Sequence, residues 1–230
     1  MAHIGQTTSA PLHADTTMTE QHLAASQLAL LPIAAFTATG DLERLDPALR
    51  RGLDTGLDIS QLREALVQLY AYAGFPRSLN ALGVLMKIVA ERRQQGIEDA
   101  PGHAPVAPIP TGADLLAAGT ANQTRLAGAP VTGPLFDFAP AIDLYLKTHL
   151  FGDIFSRDNL DWRSRELATV GALSALAGVE PQLQAHLRIS MNVGLSAAQL
   201  RQAAAFLAQA VDADSGRRAL QALERHLAPA

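Results

Sequence analysis

The sequence predicts an all-α protein built from two tandem helical repeats. Three observations predict it. Apolar residues make up 48% of the 230-residue chain and aromatic residues only 5%, with Ala and Leu prominent, a mixture that suits close-packed helices better than a sheet. Apolar residues recur at helical spacing in segments closed by Gly and Pro. Sliding the chain by 138 positions lays Ser26–Ala65 on Ser164–Ala203 without a gap, with twelve of forty positions identical, among them Gly40/Gly178, Leu45/Leu183, Leu49/Leu187, Gly56/Gly194 and Gln61-Leu62-Arg63/Gln199-Leu200-Arg201. The matched glycines fall at helix ends, where a residue tolerant of positive φ closes the turn. The expected organisation is a flexible N-terminal arm over 1–18, a first repeat over 19–95, a linker over 96–133 and a second repeat over 134–230, the repeats being related by a pseudo-twofold axis.

Taken in order, residues 1–18 are polar, small and aperiodic, and their His3 and His13 are not read as metal ligands. Thr19 is a candidate cap for a helix running to Thr39, with Leu23, Leu28, Leu31 and Ala35 inward, Pro32 as a kink or division and Gly40 as the stop. Asp41–Gly56 reads as a second helix with Leu42, Leu45, Leu49 and Leu53 in register. Ser60 precedes a third, and the Gly74 and Pro76 break precedes a fourth over 77–96. Residues 96–112 are rich in Pro and Gly, and a short helix from Thr111 and an irregular stretch follow. Helical spacing resumes over 134–155.

Asp161 opens the stretch that concentrates the chemistry. Glu166, Val170, Leu173 and Ala177 form one inward stripe; Gly178 and Pro181 break it. Leu183, Leu187 and Met191 form the next stripe, with His186 flanking it, and Gly194 and Ser196 lead into final helices over 197–211 and 215–227. One Glu and one His therefore point at or near a shared core from adjacent helices, an arrangement suited to acid–base chemistry. In the first repeat the matching positions are Leu28 and Ala48. His149 and His226 sit beside leucines near helix ends and read as structural.

Composition narrows the function. A net charge of −4 gives no basic field for nucleic acid or anionic membranes. No apolar run approaches the ~18 residues of a membrane span, and no signal-peptide pattern opens the chain. Cys is absent, which excludes disulfides, thiol nucleophiles and thiolate metal sites and is compatible with the cytoplasm. No H-x-x-x-H or clustered carboxylates suggest a metal.

At 150–167 (LFGDIFSRDNLDWRSREL), 186–200 (HL…NVGLSAAQL) and 70–82 (YAYAGFPRSLNAL) the sequence resembles the carboxymuconolactone decarboxylase family, which includes the alkylhydroperoxidase-D-like proteins. The resemblance implies an all-α fold assembled as a trimer or hexamer, here three copies of a tandem chain. The peroxidase branch places two cysteines before its His. The matching positions are Val179 and Gln182, and thiol redox chemistry needs both thiols. The decarboxylase branch needs none. What it implies is cofactor-free loss of CO2 from a carboxylated lactone, with Glu166 or His186 supplying a proton, Arg165 and Arg163 holding substrate carboxylates, and Tyr72 and Asn80 completing the pocket from the other repeat. The expectation is a carboxy-lyase acting on a small anionic substrate. The alternatives are a helical oligomer whose site has decayed into a binding or assembly module, or another acid–base reaction on the same scaffold.

Overall fold

A computed structural model of the chain describes residues 22–228; the expected arm over 1–18, with His3 and His13, and the Thr19 cap lie outside the described residues. Among the described residues all regular structure is helical.

The first repeat begins with α1 (Ala25–Thr39), which Pro32 does not divide: the helix runs through it, buried from Ala29 to Ala38. Gly40, at φ 76°, closes it. Helix α2 (Leu42–Asp54) is capped by Asp41, whose carboxylate accepts from the Arg44 N–H. Helix α3 (Ile59–Gln68) starts two residues earlier than a preceding Ser60 would place it. Its cap is Asp58, in a reciprocal box with Gln61. Ser60 instead donates from its hydroxyl to the His103 carbonyl and tethers the linker. The short α4 (Tyr70–Ala73) ends at Gly74, φ 85°, and α5 (Phe75–Gln94) follows.

The linker is less extensive than expected. Its first part, 96–110, lies against the first repeat, with Ile59 and Ser60 donating to Ala100 and Pro101. Residues read as irregular belong to a sixteen-residue helix, α6 (Gly112–Ala127). Two short helices, α7 (Pro134–Phe138) and α8 (Pro140–Tyr145), lead into α9 (Leu146–Ile154), a π-helix whose wider turn continues in the Phe155-to-Leu150 bond. Gly119 of α6 lies on the Lys147 carbonyl of α9, a contact that any Cβ would block.

The second repeat comprises α10 (Trp162–Ala175), α11 (Glu180–Asn192), α12 (Ala197–Ala210) and α13 (Ala213–Leu227). Helices α2, α3 and α5 start 138 residues before α11, α12 and α13. The Asp58–Gln61 box recurs as Ser196–Gln199. The core repeats as well: Leu45/Leu183, Leu49/Leu187, Leu62/Leu200, Leu69/Leu207 and Leu85/Leu223 are all buried, each burial stabilising by roughly 1.5–3 kcal/mol. The equivalent helices α1 and α10 pack on each other about the pseudo-axis. Gly171 lets them approach, since a Cβ there would sit 2.5 Å from the Leu31 carbonyl oxygen. Ala177, expected on the inward stripe, is exposed because α10 ends at Ala175.

Candidate functional site

Helix α10 is held at its start by Asp161, whose carboxylate accepts from the Ser164 N–H and hydroxyl. Its fifth residue, Glu166, is wholly buried. After the Gly178 turn, α11 returns along it and brings the buried His186 opposite. His186 Nδ1 stands 2.8 Å from Glu166 Oε2. A carboxylate only accepts, so ionised Glu166 fixes a proton on Nδ1 and leaves Nε2 as the working nitrogen. No described residue bonds to Nε2.

The first repeat contributes Tyr72. Its ring meets the His186 ring edge-on, with centroids 5.4 Å apart. It packs against three apolar clusters of the described residues, which places the site where the two repeats and the α6–α9 layer meet. Burial, reinforced by the nearby Glu166 charge, pushes the phenol far above its ordinary ionisation range, so Tyr72 is a neutral O–H donor. Its hydroxyl is buried beside the Thr169 hydroxyl, and Glu166 Oε1 is buried without a hydrogen-bond partner among the described residues. A buried carboxylate oxygen left unmatched is costly unless a ligand completes it. The site thus holds an imidazole with a free nitrogen, a carboxylate behind it and a phenol donor beside it.

The other expected residues divide. Arg165 does not face a substrate. It is fully buried, and its guanidinium donates to the Leu160 carbonyl, Gln68 Oε1, Glu64 Oε1 and the Arg157 carbonyl at 2.8–3.1 Å. Its charge is spent on Glu64 of the first repeat, so the role expected for it is corrected to a structural one. Burial lowers its pKa, and Glu64 counters that. Asn80 is exposed on α5 and makes no hydrogen bond to the pair. Arg163 is half-buried, reaches Gln199 at 3.3 Å and lines a cavity of about 450 Å³ with Arg125, Trp162 and Asn192. That cavity lies about one turn before Glu166 on α10 and about two turns past His186 on α11. Arg125, whose guanidinium stacks 4.9 Å over the Trp162 ring, was missed in the sequence because the helix from Thr111 was read as short and left Arg125 in the irregular stretch. The signals were present: Asp114 in the first turn, Arg125 in the last and Gly128 as the stop.

The profile of the family described as "Carboxymuconolactone decarboxylase family" matches residues 9–87 and 140–225, one region in each repeat and most of the chain together. No curated protein matches the chain.

Proposed function

The chain belongs to the carboxymuconolactone decarboxylase family, and from that premise we propose that it is a cofactor-free carboxy-lyase of the cytoplasm, a trimer of tandem repeats acting on a small carboxylated lactone. The observation that carries this reading is the buried Glu166–His186 pair, 2.8 Å apart, with Nε2 uncommitted and the Tyr72 ring edge-on beside it.

The C–C bond to the leaving carboxylate breaks and CO2 departs. The bonding pair moves through the ring double bond to the lactone carbonyl oxygen. The Tyr72 O–H donates to that developing oxyanion, which is worth most in a site shielded from water. His186, protonated on both nitrogens, then delivers the Nε2 proton to carbon, and solvent restores it. Glu166 holds the ring in one orientation and offsets its charge while it is cationic. Arg163, open to its cavity, takes a substrate carboxylate in the fork geometry that guanidinium offers.

The test is CO2 release from 4-carboxymuconolactone. The wild type turns over, and Glu166→Gln and His186→Ala each lose about 100-fold or more in kcat. A folded protein with no turnover overturns the carboxy-lyase reading. A second reading, isomerisation or another proton transfer at the same pair, is favoured by one observation: Arg165, the guanidinium next to Glu166 in the chain, is consumed by Glu64. That leaves the pair itself without an adjacent cation for a carboxylate.

A further inference from the structure

We propose that the first repeat carries a second, non-catalytic binding site that takes a small carboxylic acid with an apolar body, at the pseudo-twofold image of the Glu166–His186 site. A cavity of about 440 Å³ opens between α1, α2 and α12, floored by Pro32, Phe36, Ala48 and Phe206, with Arg51 at its rim. Moved by 138 positions, its lining coincides with the dyad site. Ala48 falls on His186, and Ala210, which also lines it, falls on Tyr72. Phe206 falls on Gln68, and Leu28 takes the place of Glu166. Where the dyad site is filled by the His186 imidazole and the Tyr72 phenol, its pseudo-twofold image has Ala48 and Ala210, and the cavity is the volume they leave.

Its chemistry follows from the same replacements. The acid–base groups are gone, so nothing here moves a proton. Pro32, Phe36, Ala48 and Phe206 make the floor apolar, and the volume is within the range of small-ligand pockets. The two rim arginines differ. Arg44 is committed: it pairs with Asp41 at 2.6 Å, donates to the Val211 carbonyl and covers the Phe36 ring. Arg51 is exposed, and its guanidinium makes no ion pair or hydrogen bond among the described residues. An apolar floor beside one uncommitted guanidinium matches a single carboxylate on a hydrocarbon or aryl body.

The experiment is calorimetric titration of the full-length protein with octanoate and with its neutral counterpart, octanamide. Octanoate is expected to bind with a dissociation constant on the order of 0.1–1 mM. Arg51→Ala, and the exchange of octanoate for octanamide, should each weaken binding about ten-fold. Ala48→Phe, which fills the cavity, should abolish it. His186→Ala should leave it unchanged, which separates this cavity from the dyad site. Absence of binding up to about 10 mM overturns the proposal, as does binding that Arg51→Ala leaves intact or that His186→Ala removes. Arg51 is exposed, so its variant keeps the fold and the test stands even if Ala48→Phe does not fold.

Discussion

At the scale of single residues, Tyr72 separates function from stability. Core polar groups normally stabilise through well-formed hydrogen bonds, but the buried Tyr72 hydroxyl has only a poorly aligned neighbour, Thr169. Removing a poorly matched buried hydroxyl relieves a desolvation cost that its weak bond offsets only in part. Tyr72→Phe is therefore expected to leave the unfolding free energy unchanged or raise it by up to about 1 kcal/mol, while the ring keeps its edge contact with His186. Turnover should fall about ten- to a hundred-fold, because the oxyanion loses its donor. Urea unfolding and kcat on the same preparation check both halves. A variant that loses stability and keeps its rate would make Tyr72 a packing residue. The closeness of Glu166 and His186 was legible before any coordinates, since helical spacing put each at or beside the inward stripe of adjacent helices. Arg165 was not. In the sequence it is one of two arginines beside Glu166. The carboxylate that claims it is 101 residues away, and local spacing carries no trace of that partner.

At the scale of elements, that partner locks the two repeats together. Glu64 and Gln68, one turn apart on α3, face Arg165 and Thr169, one turn apart on α10. Glu64 also takes the Arg157 guanidinium at 2.8 Å and the Asn159 amide at 3.2 Å. Burial pushes the Glu64 carboxyl upward, yet Arg157 and Arg165 together outweigh it and hold its pKa below the ordinary 4.5. The sign of the pH dependence follows. A depressed folded-state value contributes stability that is fully present above 4.5 and is lost as pH falls through the folded value. Glu64→Gln leaves two guanidinium groups without their counter-charge and should destabilise by about 3–5 kcal/mol at pH 7. The difference from wild type should close as pH drops below 4.5, read by denaturant unfolding across pH 7 to 3. A difference independent of pH would assign the effect to shape rather than charge. Helix α6 shows the opposite limit of sequence reading. Gly119 in its middle looks like a helix breaker, and only the Lys147 carbonyl pressed against it explains why glycine is there. Propensity is local, and the reason for that glycine is tertiary.

At the scale of the whole molecule, the duplication was the most legible feature, because paired helix ends and paired core leucines survive where side-chain chemistry has diverged. What divergence left is one repeat with a dyad and one with a hollow, and the asymmetry extends to the surface. Phe75, Leu79 and Met86 of α5 are 61%, 62% and 73% exposed, and Phe138, the last residue of α7, is 88% exposed. Large exposed apolar side chains on an element are where a further protein surface is expected to pack. The equivalent helix of the second repeat, α13, shows only Leu220 among large exposed apolar residues, so the two repeats meet their surroundings differently. Charge does not oppose association strongly, at −4 for the chain. The expected state is three copies, a solution mass three times the 24.3 kDa of one chain by light scattering. Leu79→Glu and Phe138→Glu put a charge into the covered surface and should each shift the mass toward that of one chain. Because neither side chain lies in the core, melting of the isolated chain should change little. A wild type that runs as one chain at micromolar concentration overturns the assembly, and it would leave these side chains exposed for a partner of a different kind.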